Sequence, residues 1–269
     1  LGVHAEEPEA AAGELRPAAH PVQPAADARA ATRPRHASGV RQVKVYVGYD
    51  VREDAAYRVA LQSLYRHSDI IAEPLRADRL RDVGLYWRNI DHRNGKFYDF
   101  PSNAHAATEF ATTRFLVPLL CQEGWALFTD CDMLFLDDVR KMMDHADASK
   151  AVMVVKHDHR QDGVKMDGQP QVSYPRKNWS SVMLFNCNHR ANRRLTVRDV
   201  NERPGRDLHA FYWLHDAEIG ELPMEWNWLV GVQPKPKHPK IAHYTLGGPW
   251  LPDWRPKEHD DLWLSAKNG

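Results

Sequence analysis

Hydrophobic order along this chain begins abruptly at Val43. The run Val43-Lys44-Val45-Tyr46-Val47-Gly48-Tyr49-Asp50 alternates β-branched and aromatic residues and ends in Gly and Asp, which predicts a buried strand entering a loop. Between residues 55 and 65, Tyr57, Ala60, Leu61 and Leu64 recur at helical spacing on one face. A second strand is expected over residues 69–75. Strand, helix and strand at this length make a βαβ start, which implies a parallel sheet. Residues 81–105 are polar and rich in Asn, His and Tyr, and predict a long loop with little structure of its own. A helix is expected over residues 108–121, stopping before Gly124. The apolar strand Trp125–Thr129 follows and runs into Asp130-Cys131-Asp132. Further buried strands are expected at 151–155 and 182–186, a helix at 206–214, and a short late strand at 241–244. The pattern predicts one α/β domain over residues 40–269 with a mostly parallel central sheet.

Residues 1–39 lack this periodicity and carry Pro8, Pro17, Pro21, Pro24 and Pro34 among Ala, Arg, Glu and His. Such a segment cannot bury enough apolar area to offset its ordering entropy, so a disordered tail is expected. The 43% hydrophobic and 27% charged residues suit a globular chain with one sizeable core. Zero formal net charge argues against a polybasic nucleic-acid surface, and no nucleic-acid partner is expected. Cys121, Cys131 and Cys187 are odd in number and lack zinc-ligand spacing, which favours a reducing compartment over a disulfide framework. No run of about 18 apolar residues occurs, and the apolar core of a secretory signal is missing. A cytoplasmic protein without a transmembrane segment is therefore expected.

Chemistry concentrates at the end of the strand Trp125–Thr129. In extended chain, residues i and i+2 point the same way, so Asp130 and Asp132 converge while Cys131 faces the other side. Ligands of open α/β sheets bind beyond the carboxyl ends of strands, and two carboxylates there repel unless a cation lies between them. Oxygen ligands suit Mg²⁺ or Mn²⁺, which keep positions open for substrate phosphates. The alternative reading is a solvated Asp-X-Asp turn. His243, after the apolar pair Ile241-Ala242 and before Gly247-Gly248-Pro249-Trp250, is a candidate third ligand. Its alternative is a histidine bonded locally near a turn. Trp213, Trp226, Trp228, Trp250 and Trp254 are either core or a sugar-stacking wall, with Trp250 the first candidate for the wall. Arg176 and Lys177 are candidate contacts for an anionic group or a solvated charged face.

Three segments in this order resemble glycosyltransferase family 8 and its bacterial relatives: Tyr46 to Asp50, Phe128 to Asp132, and His243 to Trp250. The stretches Asn178 to Asn186 and Asp216 to Asn227 resemble the family's strand beside the donor sugar and the segment after it. The likeness covers roughly residues 43–255. It implies the GT-A fold, a Rossmann-like α/β domain that binds a nucleotide-sugar with Mn²⁺ or Mg²⁺. It implies Asp130, Asp132 and His243 as metal ligands. Gly48, Tyr49 and Asp50 are then expected in the nucleotide pocket, Asp50 as a partner of base or ribose. Arg114, Lys156, Asn178, Ser180, Ser181, Gly247, Gly248 and Trp250 are expected around the donor, and Asp216 and Glu218 beside the reacting sugar. The family's lysine before Pro-Trp is absent, since Gly248 stands there.

The activity so implied is metal-dependent transfer of a hexose from a nucleotide-sugar, with UDP as the expected nucleotide. The acceptor is a saccharide, a glycoconjugate or another hydroxyl compound, and the transfer retains anomeric configuration. The alternatives are a sugar-phosphate nucleotidyltransferase and a non-catalytic nucleotide-sugar binding module. The loop Gly48-Tyr49-Asp50-Val51-Arg52 is poor in the glycines that a triphosphate-holding loop needs, which counts against the first.

Overall fold

The computed structural model of the chain describes residues 43–93, 96–157, 163–164, 170–171, 176 and 178–269. The expected tail over residues 1–39 and Lys177 lie outside the described residues. Six strands form a central sheet in the order Ile219–Glu221, Val152–Val154, Val182–Asn186, Trp125–Thr129, Val43–Gly48, Ala72–Leu75. All neighbours are parallel except Val182–Asn186, which runs antiparallel to both of its own. The mostly parallel α/β sheet is the one the pattern predicts. Trp125–Thr129 and Val182–Asn186 are buried along almost their whole length. Continuous burial, rather than alternation, is what a sheet covered on both faces requires. Fully burying Leu127, Phe128, Leu184 or Phe185 contributes about 1.5–3 kcal/mol each, so these strands hold the centre.

The chain leaves Val43–Gly48, passes through the helix Asp54–His67 to Ala72–Leu75 on one side, and later returns to Trp125–Thr129 on the other. The carboxyl ends of Val43–Gly48 and Trp125–Thr129 lie side by side, with Val47 opposite Thr129. This reversal of strand order is where open α/β sheets take their ligands. The Asp50 carboxylate accepts the Arg52 backbone N–H at 2.9 Å and caps the turn that leads into the helix. Arg66 and His67 close that helix with the charge sign its dipole favours.

A smaller sheet, Trp228–Leu229, Ile241–His243 and Met133–Phe135, packs through Leu134, Trp228 and Ala242, together with Val59 of the helix Asp54–His67 and Tyr244, in one cluster with Trp263 of the helix Asp260–Asn268. The sequence pattern did not reveal the strand Met133–Phe135 or that last helix.

Three expectations need correction. Residues 81–105 are not a structureless loop: they contribute the strand Ile90–Arg93, the strand Lys96–Asp99 and most of Ala104–Ala106, paired antiparallel. A buried ion pair anchors them. Arg88, 2% exposed, donates to Asp99, 3% exposed, at 2.7 and 2.6 Å, and to the Val200 and Arg203 carbonyls at 2.8 Å each. The helix expected over 108–121 is α-helical only at Val117–Cys121, after a 3-10 turn at Thr113–Leu116. Pro118 has no N–H to donate, so it marks a helix start rather than an interior. The helix expected over 206–214 is Gly205–His209, and Phe211 at φ 53° lies outside any right-handed helix. No helix among the described residues is long and apolar enough to cross a membrane.

Asp99→Ala leaves the Arg88 charge buried without its carboxylate. It should cost about 3–5 kcal/mol in urea unfolding, whereas a loss below about 1 kcal/mol would mean that water reaches the pair.

Candidate functional site

Asp130 follows directly on the strand Trp125–Thr129, and its backbone N–H donates to the Ser181 carbonyl at 3.0 Å. His243 arrives from far along the chain. Its strand pairs antiparallel with Met133–Phe135 in a register that sets His243 opposite Met133. The Tyr244 N–H donates to the Asp132 carbonyl at 3.0 Å and continues that ladder. His243 Nε2 then lies 3.4 Å from Asp132 Oδ2. One donor atom from each of Asp130, Asp132 and His243 falls within 4.8 Å of the others. Ligands about 2.1 Å from a shared Mg²⁺ sit no more than about 4.2 Å apart, so the group needs only a small contraction to hold an ion.

The donor set fits a divalent cation. Asp132 Oδ1 is buried and has no side-chain hydrogen-bond partner among the described residues. Leaving a buried acceptor so costs about 1–3 kcal/mol, and more for a charged one. Two carboxylates and an imidazole are donors that divalent cations take. The side chains of Asp130 and Asp132 keep 15% and 17% exposure, so the group is reachable from solvent.

Charge at the site is tightly balanced. Burial alone would depress the His243 pKa. The Asp132 charge and hydrogen bond, then Asp130, outweigh it and hold the pKa above the usual value. Burial likewise opposes ionisation of Asp132, but His243 holds that carboxyl below the usual range. Arg114, expected near the donor, is 5% exposed and lies against the Phe110 and Phe128 rings. Its Nη1 is 2.8 Å from Asp130 Oδ1 and donates to the Ser180 carbonyl at 2.8 Å, so it acts on Asp130 from the interior.

Glu53 is a third carboxylate here, and the sequence reading missed it. The Cys131 thiol, in a bend between the strand Trp125–Thr129 and the strand Met133–Phe135, donates to Glu53 Oε2 at 2.9 Å. Burial, then the Asp132 charge, push the Glu53 carboxyl up to about 7. The one sequence signal is its place in the loop right after Gly48-Tyr49-Asp50.

The other predicted residues have varied settings. A Cβ at Gly48 would lie 2.5 Å from the Phe110 ring, so only glycine permits that close approach. The Tyr49 hydroxyl donates to Asp54 at 3.1 Å, and Arg76 lies 4.5 Å from the centre of its ring. Asp50 is fully buried. Its oxygens accept from the Arg52 N–H and side chain and from the Glu109 N–H at 3.1 Å, so it organises the loop from inside. Ser180 Oγ lies 2.7 Å from His209 Nδ1, and the Ser181 hydroxyl donates to the Asn178 carbonyl at 2.8 Å. Lys156 Nζ stands 5.8 Å from the Trp179 ring centre. The Asp216 side chain is 91% exposed and pairs with Arg176, whose carbonyl accepts the Trp179 N–H in the turn next to Asn178.

Two of the predicted side chains also make structural contacts of their own. Glu218, expected beside the reacting sugar, pairs with Arg194 and accepts the His215 N–H at 2.9 Å, closing a capping box. Trp250, the candidate sugar platform, packs on Tyr244 and Trp263 with ring centres 6.1 and 5.7 Å away. A Cβ at Gly248 would come within 2.0 Å of that same ring, while Gly247 takes φ 95° in the turn. Trp213, Trp226 and Trp228 are core residues.

No protein-family model matches the sequence. The chain is 42% identical over 248 residues to Protein CDI of Arabidopsis thaliana, covering 89% of this chain and 91% of that protein. The chain belongs to the Protein CDI family. Solved structures give this CDI-family chain its fold class. The WbbM bifunctional glycosyltransferase aligns with a TM-score of 0.53 at 14% identity over 84% of this chain and 50% of its own. The glycosyltransferase GlyE of Streptococcus pneumoniae TIGR4 aligns with a TM-score of 0.52 at 14% identity over 84% of this chain and 61% of its own. The CDI-family chain thus spans half of WbbM and under two thirds of GlyE, and it shares their GT-A fold. The bacterial branch suggested by the motifs gains no support from a plant relative.

In the metal-free CDI-family protein, Glu53 titrates near 7 folded against 4.5 as a free side chain. The folded state binds the extra proton between those values. This contribution to stability is therefore full below about 4.5 and gone once pH has risen past about 7. Glu53→Gln should melt above the parent at pH 8, with the gap closing towards pH 4.5. A gap independent of pH would mean that Glu53 is solvated.

Proposed function

We propose that this protein is a metal-dependent glycosyltransferase that moves a hexose from a nucleotide-sugar, with UDP as the nucleotide, to a saccharide or other hydroxyl acceptor. The observation that carries the reading is the meeting of Asp130, Asp132 and His243 at the carboxyl edge of a GT-A sheet. In this reading the three residues hold Mn²⁺ or Mg²⁺, which when bound neutralises the charge growing on the departing diphosphate. Three protein donors would leave such an ion able to take up diphosphate oxygens as well.

The chain's own residues do the rest. Arg114 keeps Asp130 oriented. Gly48, Tyr49 and the loop that Asp50 organises line the nucleotide side. Lys156 and the turn through Gly247 and Gly248 meet the diphosphate, in place of the lysine that family 8 enzymes carry at the position of Gly248. Asn178, Ser180 and Ser181 border the donor sugar. Asp216, tethered through Arg176, supports positive character on the sugar in the transition state, as carboxylates do in glycoside hydrolysis. Glu218, which also caps its own turn, is the second carboxylate proposed for that role. Retention of configuration follows from the family resemblance.

The test is a thermal-shift series with nucleoside diphosphates, with and without Mn²⁺. UDP at large excess should stabilise by about 2–4 kcal/mol, and only with the ion. Asp130→Ala and Asp132→Ala should each abolish that response and the Mn²⁺-dependent release of UDP from a donor, with the fold intact. Unchanged release in either variant defeats the metal assignment. Turnover of a nucleoside triphosphate with a sugar phosphate would favour the nucleotidyltransferase instead. A proton on His243 competes with the ion, so Mn²⁺ affinity should rise with pH through and above 6.5, its ordinary value. Affinity independent of pH over that range would remove His243 from the ligand set.

A further inference from the structure

Behind His243 runs a chain of hydrogen bonds that ends on a backbone carbonyl. The Asn178 carbonyl can only accept, so the Ser181 hydroxyl, 2.8 Å away, donates its proton there. The Ser181 oxygen then offers lone pairs, and Asn227 Nδ2 donates to it at 2.9 Å. The same Nδ2 lies 3.4 Å from the Asn178 carbonyl, a second acceptor. The amide orientation is thereby fixed, with Oδ1 facing His243 Nδ1 at 3.0 Å. Oδ1 can only accept, so Nδ1 carries a proton. Nε2 is left as the nitrogen on the Asp132 side, 3.4 Å from Oδ2. Asn227 is 0%, His243 2% and Ser181 3% exposed, and the Asn227–Ser181 and Asn227–His243 bonds are buried, so water does not compete for those two.

We propose that Asn227 is a positioning residue for the metal centre. It locks His243 as the Nδ1–H tautomer, presents Nε2 to the ion, and through Ser181 joins that ligand to the turn at Asn178. The orientation of one metal ligand and the conformation of the 178–181 turn are then set together by three bonds, two of them buried. The inference rests on the metal reading above. Groups that orient a metal-bound histidine through its other nitrogen fix its tautomer and basicity, and their loss costs about 10–100-fold in metal affinity.

The experiment is Mn²⁺ titration of the full chain by electron paramagnetic resonance, in the parent and in Asn227→Ala, Asn227→Asp and Ser181→Ala, with His243→Ala as reference. Melting of each metal-free protein is measured alongside. Asn227→Ala should weaken Mn²⁺ by about 10–100-fold. Asn227→Asp still accepts from Nδ1 and should keep the affinity. Ser181→Ala, which does not touch the ion, should weaken Mn²⁺ because the amide keeps only its long 3.4 Å contact to the Asn178 carbonyl and is held less firmly in this orientation. With Mg²⁺ bound, ¹⁵N spectra of the parent should report a protonated Nδ1 and an unprotonated Nε2 on His243.

Unchanged affinity in Asn227→Ala, or equal losses in Asn227→Ala and Asn227→Asp, overturns the proposal. If Asn227→Ala does not fold, the other two variants decide. Affinity kept in Asn227→Asp and lost in Ser181→Ala supports the proposal, and any other pattern defeats it. A parent that binds no Mn²⁺ brings down the metal reading itself. A parent that binds Mn²⁺ with affinity insensitive to Asn227 brings down only the positioning role.

Discussion

The antiparallel pairing of Ile241–His243 with Met133–Phe135 is the constraint on which the candidate site depends. Strands this short make few ladder bonds, so burial and the bonds at their ends must hold the register. At one end the Leu136 N–H donates to the Lys240 carbonyl at 2.9 Å, while the Lys240 ammonium reaches Asp137 at 2.7 Å. At the other end the Tyr244 N–H meets the Asp132 carbonyl. A slip of one residue would turn every side chain to the opposite face. It would carry His243 away from the carboxylates and drive Ala242 out of the smaller core. Packing of Trp228, Tyr244 and Trp263 in that core is thus what keeps an imidazole beside two aspartates.

The site also concentrates like charge. Glu53, Asp130 and Asp132 meet at one edge of the sheet, with Arg114 and His243 as the opposing groups. The balance is incomplete, since one carboxyl is driven up to about 7 and one buried aspartate oxygen has no side-chain partner among the described residues. Local conflict of this kind is tolerated where a rigid frame overrides it, and the continuous apolar strands Trp125–Thr129 and Val182–Asn186 supply that frame.

How much was legible in the sequence follows from what each feature depends on. Trp125–Thr129 and Val182–Asn186 read correctly to the residue because unbroken apolar runs state their own burial. Asp130 and Asp132 read as convergent from their i, i+2 spacing, and they do gather with His243, although residues 131 and 132 lie in a bend rather than in extended chain. Met133–Phe135 was invisible because it follows the strand before it after only three residues. Residues 81–105 were misread because their order comes from Arg88 and Asp99, a pair whose partnership no periodicity announces. Glu53 and Asn227 gain their surroundings from segments distant in sequence. Glu218 and Trp250 show the converse: a carboxylate or a ring looks the same in sequence whether it faces a ligand, a helix cap or the core.

The contact of Gly248 with the Trp250 ring has an evolutionary corollary. Any side chain at position 248 must first displace an indole that is itself wedged against Tyr244 and Trp263. The two positions therefore cannot drift independently. A lineage that acquires a cation at 248 must shrink residue 250 beforehand or at the same time, and one that keeps the indole is confined to glycine. The order of substitutions, and not merely their identity, is written into this turn.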